Sequence, residues 1–316
     1  MSLFKKVFLA LTFCLVFSNC SNAGNRLKEW MKDSEKPHVL STTAQIGDLV
    51  AEIGGGRVEA LVLIQGDLDP HSYELVKGDD EKFFRADLIF YNGLGLEHGA
   101  SLSSLLRSNP KTIPIGEKIV AAQPTRILKK GDVIDPHIWM DISLWKEAIV
   151  PIIDHLSAID PEGAPYYRER GEALALKMDQ THIYVKELLQ KVPSSKRYLI
   201  TSHDAFRYFA RSYLAEPEET DWALRFTAPE GLAPDGQLNP YDIQRIIDFL
   251  KQKQVSVLFP ETNVSRDSIR KIASAGKELG LEIKICTEPL YGDSMSGLSY
   301  LEMMQKNGEV ISRYLP

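Results

Sequence analysis

Hydrophobic positions along the chain fall into two kinds of run, and their alternation predicts the fold. Short β-rich runs occur at Val39-Leu40, Val58 to Ile64, Leu88 to Tyr91 and Thr112 to Pro114. Between the first two, Ile46, Leu49, Val50 and Ile53 recur at helical spacing, and Gly54-Gly55-Gly56 supplies the stop. No GxGxxG or GK[ST] pattern surrounds these glycines, so they read as a turn and not as a phosphate cradle. The same grammar returns in the second half. Strands are expected at Tyr198 to Thr201, Val255 to Phe259 and Leu281 to Cys286, with helices at Tyr241 to Lys251 and Arg266 to Leu279. Strands alternating with helices argue for parallel sheets, whose ligands bind beyond the carboxyl ends of the strands.

Between the halves the pattern changes. Pro165 to Val192 contains only Gly171 as a breaker after its first residue, and Leu174, Met178, Val185, Leu188 and Val192 fall on one helical face. A helix of about 28 residues would be about 42 Å long, more than a crossover needs. Pro193 ends it. The expectation is an α/β protein of two lobes with parallel sheets, at 37–164 and 194–316, joined by one long rigid helix over 165–193.

The N-terminus sets the compartment. Lys5-Lys6 precedes an apolar run from Val7 to Phe17, broken only by Thr12. A membrane-spanning helix needs about 20 apolar residues, so residues 1–20 read as an export signal. The run Val16-Phe17-Ser18-Asn19-Cys20, followed by polar Ser21 to Asn25, predicts lipid attachment at Cys20, with ordinary cleavage nearby as the alternative. Residues 21–36 read as a linker. The mature chain is expected in the periplasm or on the outer face of the cytoplasmic membrane, touching the membrane only through that lipid.

Charge and cysteine content narrow the classes further. The chain carries 37 basic and 43 acidic residues, and without the signal's two lysines the balance is 35 against 43, or −8. An acidic exported protein is a poor nucleic-acid binder and a natural host for cations. Cys14 falls in the signal, so apart from Cys20 the mature chain has only Cys286, and no intrachain disulfide framework stabilises the fold.

Of the seven histidines, His38, His98, His155 and His182 have no partner in their local sequence and read as packing or surface residues. The other three differ. His71 lies in Asp69-Pro70-His71 just after an expected strand, His137 in Asp135-Pro136-His137, and His203 in Ser202-His203-Asp204 directly after another strand. Proline restricts its own backbone and that of the residue before it, so such turns hold the next side chain at a set angle. Neutral imidazole is the commonest metal ligand, and a neighbouring Asp commonly orients it.

The segments DPHSYE, DPHIWMD and SHDAF, in this order, resemble those of the cluster A-I metal-binding proteins of ABC importers, a zinc, manganese and iron family with many lipoproteins. Glu288 to Ser294, Tyr300 to Asn307, Asn92 to Glu97 and Val257 to Glu261 are similar too. The combination of GLGLEH, PEGL and the weak lipid signal is nearest to the chlamydial members. The resemblance runs from about residue 38 to the C-terminus. It implies metal ligands at His71 and His137 from the first lobe and at His203 and Asp293 from the second, with the site at the lobe interface and Glu261 supporting it. It also implies a monomeric binding protein that captures Mn²⁺, Zn²⁺ or Fe²⁺ and delivers it to an ABC permease and, through it, the ATPase. No enzymatic activity is implied. Two departures stand out. The family's Glu-rich loop appears here as Pro229 to Gln237, and the His-rich loop of dedicated zinc importers is absent. Two other readings of the same residues are an exported zinc-dependent metallohydrolase, which lacks any HExxH-like motif here, and an adhesin whose metal only stabilises the fold.

Overall fold

The computed structural model describes residues 27–234 and 238–315. The signal, Cys20 and the start of the linker lie outside the described residues, as do residues 235–237 of the Pro229–Gln237 loop. Helices of seven or more residues are numbered α1 to α9 among the described residues.

The first lobe is built on a parallel sheet in the order β2-β1-β3-β4, formed by β1 (His38–Ser41), β2 (Glu59–Val62), β3 (Leu88–Tyr91) and β4 (Thr112–Pro114). Leu40 pairs with Leu61 on one side and Ile89 on the other. Helices α1 (Ala44–Gly54), α2 (Asp79–Arg85), α3 (Ala100–Ser108), α4 (Ile115–Ala122) and α5 (Ile149–Ile159) surround it. Ile46, Leu49, Val50 and Ile53 of α1 are all buried, as their spacing requires. A small hairpin of β5 (Lys129–Lys130) and β6 (Val133–Ile134) projects toward the second lobe.

The second lobe pairs β7 (Leu199–Ile200) with β8 (Phe226–Thr227), and β9 (Val257–Leu258) with β10 (Lys284–Ile285), both in parallel. A backbone hydrogen bond from Phe259 to Ile200 joins the two pairs. Read across, the order β8-β7-β9-β10 matches that of the first lobe. Helices α7 (Pro240–Lys253) and α8 (Asp267–Glu278) cover it.

The helix between the lobes, α6 (Ala164–Gln190), has 27 residues and is about 40 Å long at 1.5 Å per residue. Its buried residues are Tyr167, Gly171, Leu174, Met178, Thr181, Val185 and Leu189, steps of three and four throughout. Leu189 therefore closes the apolar face; Leu188, expected there, is only half-buried. The final helix, α9 (Tyr300–Tyr314), packs along α6 and touches α1. A Ser299–Glu302 capping box fixes where it starts. One continuous apolar core includes Val50, Trp139, Met178, Val185, Phe206, Phe259 and Met303, so it runs through both lobes. Moving one lobe far from the other would expose that core.

Residues 27–36, expected as linker, begin with a helical turn, and Trp30 is buried with its indole N–H donating to the Glu59 carbonyl at 3.0 Å. The aromatic ring decides this, because its apolar area outweighs the polar composition around it. No helix among the described residues is long and apolar enough to cross a membrane.

Candidate metal centre

His71 stands in the loop after β2, and His203 lies three residues beyond the end of β7. Asp293 lies in the loop between β10 and α9, and His137 opens a short turn of 3₁₀ helix at Ile138–Met140. Each is nearly or fully buried. One ligand atom from each of the four lies within 4.8 Å of the other three. His71 Nε2 is 3.3 Å from His137 Nε2. Asp293 Oδ2 is 3.1 Å from His203 Nε2 and 3.7 Å from His71 Nε2, and Asp293 Oδ1 is 3.5 Å from His137 Nε2. Four ligands about 2.1 Å from a common centre stand about 3.4 Å apart in a tetrahedron, which these separations bracket.

His203 Nε2 and Asp293 Oδ1 are buried and make no hydrogen bond among the described residues. Buried polar atoms are normally satisfied, so unpaired atoms converging on one point suit an ion that accepts several lone pairs at once.

Carboxylates behind the imidazoles set two of them. Asp135 Oδ1 accepts from the His137 backbone N–H at 3.1 Å and stands 2.8 Å from the ring Nδ1. Glu261 Oε1 accepts from the backbone N–H groups of Ser202 and His203 at 2.9 and 2.8 Å, while its Oε2 lies 2.8 Å from His203 Nδ1. At His137 the carboxylate at Nδ1 fixes the tautomer and leaves Nε2 as the donor atom, whereas at His203 the contact is one of charge, without hydrogen-bond geometry. Glu261 thus holds the Ser202–His203 backbone and stands against the His203 ring. Gly292 permits this closeness, because a Cβ there would sit 2.3 Å from Glu261 Oε2.

Burial pushes His71 down to about 3, and the neighbouring imidazoles add to it against the pull of Asp293. Burial also opposes charge on His203, yet Glu261 and Asp293 together raise it well above the ordinary imidazole value. The same attraction, chiefly from His203, holds Asp293 below the ordinary carboxylate range despite its burial. His71 and His203 differ in direction because His203 has Glu261 against its ring in addition to Asp293, whereas His71 has Asp293 alone and two imidazoles beside it.

The Asp293 loop is tied to the first lobe by residues that sequence reasoning missed. Gln45 Nε2 donates to the Asp293 carbonyl at 2.9 Å, and Trp139 Nε1 donates to the Gly292 carbonyl at 3.0 Å. Ser294 Oγ donates to Asp67 at 2.7 Å, and within the second lobe Asn263 Nδ2 donates to Asp293 Oδ2 at 3.0 Å. Gln45 and Asp293 are 248 positions apart, so no local pattern announces the contact. The hairpin adds a second clasp, with Lys130 Nζ 2.6 Å from the Asp204 carboxylate.

Two α/β lobes closing on three imidazoles and a carboxylate suit a binding protein for a transition-metal ion. Residues 39–314 match the family described as ZnuA, zinc-uptake complex component A, periplasmic. The chain belongs to this family, whose members are metal-binding components of ABC importers and not enzymes, and the metallohydrolase alternative finds no support. It is 37% identical over 305 residues to metal-binding protein YtgA of Chlamydia pneumoniae, covering 96% of this chain and 91% of that one. It is 29% identical to the manganese-binding lipoprotein MntA of Bacillus subtilis, covering 91% and 89%. Among solved structures, Fe(III)-bound YtgA from Chlamydia trachomatis aligns with a TM-score of 0.84 at 35% identity, covering 89% of this chain and 98% of that one. The periplasmic zinc-binding protein TroA from Treponema pallidum aligns with a TM-score of 0.80 at 29% identity, covering 89% and 99%.

Proposed function

We propose that His71, His137 and His203, through Nε2, and Asp293, through its carboxylate, hold one divalent transition-metal ion as cargo for an ABC permease. The observation that carries this reading is the convergence of the four buried groups at 3.1 to 3.7 Å, two of their atoms unpaired. The ion is Mn²⁺, Fe²⁺ or Zn²⁺, consistent with the iron, manganese and zinc named for relatives. Both Asp293 oxygens face imidazoles. Binding through both raises the coordination number to five, which favours Mn²⁺ or Fe²⁺ over Zn²⁺, a metal that in structural sites almost always takes four.

Binding closes the lobe interface, and release requires that one lobe's ligands withdraw. The shared core and α6 limit that motion to slight rocking or a local loop shift. A large difference between metal-free and metal-loaded scattering curves would contradict this. The mature chain acts as a monomer, held at the membrane by lipid on Cys20. Replacing Cys20 with Ser is expected to free the protein from membrane fractions.

Elemental mass spectrometry tests the site. The chain from Ser21 onward is stripped, equilibrated anaerobically with equal Mn²⁺, Fe²⁺ and Zn²⁺, and compared with His137→Ala and Asp293→Ala. One metal per wild-type chain, lost in both variants, is expected. No stoichiometric metal in the wild type would defeat the reading.

A further inference from the structure

A fourth imidazole stands just outside the cluster. The His98 ring centroid is 5.6 Å from that of His71. Within the cluster, His71 and His137 are 5.3 Å apart and His137 and His203 are 5.4 Å apart. His71 and His203 are 6.1 Å apart, so the three cage rings form a compact triangle, and His98 adjoins it at the His71 corner. The three cage rings are buried and His98 is exposed, so His98 adjoins the cage from the solvent side. His98 is not among the four groups whose ligand atoms lie within 4.8 Å of one another. It stands next to the cage without belonging to it.

Its chemistry is set. His98 Nδ1 lies 3.2 Å from the Gly95 carbonyl. A carbonyl only accepts, so Nδ1 carries the proton and the lone pair of the neutral ring is on Nε2. The preceding loop is rigid: Gly93, Leu94 and Gly95 all have positive φ, at 73°, 55° and 81°. A non-glycine residue there persists only where its surroundings over-determine it. Buried Glu97 does this, accepting from Thr42 Oγ1 at 2.6 Å and from the backbone N–H groups of Asn92 and Gly93 at 2.8 and 3.0 Å.

The cluster is also asymmetric at this end. His137 and His203 have carboxylates at Nδ1, whereas Asp69 meets only the backbone N–H of His71 and the Ser72 hydroxyl. His71 is the ligand least restrained in its ring orientation, and it is the one beside His98.

We propose that His98 is a transfer ligand, taking the ion through Nε2 on its way between solvent and the cage, with His71 as the inner partner in the exchange. This rests on the four-residue cage proposed above. A group that touches the ion only between its free and caged states speeds capture and release by the same factor and leaves the affinity unchanged, because only transition-state contacts alter the barrier.

Stopped-flow mixing of Zn²⁺ with the stripped chain, and release of Zn²⁺ to a chelating dye, test it. His98→Ala and His98→Gln are expected to slow both rates about tenfold while the Kd stays within about threefold. His98→Asp, which keeps a ligand, is expected to restore both rates. Unchanged rates in His98→Ala overturn the proposal. So does a Kd raised by about tenfold or more through faster release, which would make His98 part of the cage. Failure of the wild type to bind Zn²⁺ stoichiometrically would instead overturn the cage itself.

Discussion

The two Asp-Pro-His turns are identical in three residues and different in what they build. In Asp135-Pro136-His137 the aspartate is fully buried, and one of its oxygens meets both the backbone N–H and the ring of its histidine. In Asp69-Pro70-His71 the aspartate is half-buried, and it holds the backbone N–H at 2.9 Å without reaching the ring. The proline turn therefore places a histidine, and burial of the aspartate decides whether the imidazole is also aimed. Partial exposure leaves Asp69 solvated, and its other oxygen goes to Ser72 at 2.6 Å. One turn fixes its imidazole from behind; the other leaves the ring without a carboxylate at Nδ1.

The sharpest break of this comparison is Asp135→Asn. Losing an orienting carboxylate is expected to lower metal affinity about 10- to 100-fold in a competition titration. An unchanged affinity would mean that the turn alone aims His137.

Proton linkage gives the next effect. His203 is raised above its ordinary 6.5 in the metal-free fold, so its ion pairs contribute stability fully below that value and lose it as pH rises through the folded pKa. Asp293 is lowered, so its contribution is present above the ordinary carboxylate range and is lost as pH falls through its folded pKa. With His203 as a ligand, the metal displaces its proton, whereas His71, lowered to about 3, has none to lose near neutral pH. Below the folded pKa of His203, affinity should therefore fall about tenfold per pH unit, with one proton released per ion. Calorimetry in buffers of different ionisation enthalpy measures that proton. Glu261→Gln is expected to reduce the release, and an undiminished proton count would assign it to another group.

A smaller effect is expected from Asp69→Asn, with affinity within about threefold of wild type because the ring loses no partner. Its cost should appear in thermal unfolding, at about 1 kcal/mol for one hydrogen-bond acceptor. A large loss of affinity would put Asp69 on a par with Asp135 and erase the distinction.

Much of the fold was legible because its signals are local. Leu88 to Tyr91 and Thr112 to Pro114 form strands over those very residues, and the helix expected over 165–192 occupies Ala164–Gln190. Apolar spacing also gave its buried face, missing only that Leu189 and not Leu188 turns inward, a difference of about 100° around the axis. The four clustered groups were legible through turn chemistry and the resemblance built on it. Contacts across the interface were not, since Gln45, Trp139 and Asp67 reach the Asp293 loop only after both lobes have folded. His98 escaped for the same reason, because its neighbour His71 lies across a loop that sequence spacing does not fold.

The most direct test of the central claim is a crystal structure of the metal-loaded protein with anomalous data collected at the absorption edge of the bound metal. The account predicts one anomalous peak within about 2.0 to 2.3 Å of His71, His137 and His203 Nε2 and of Asp293. A stoichiometric peak elsewhere, or a metal held without these four side chains, would contradict it.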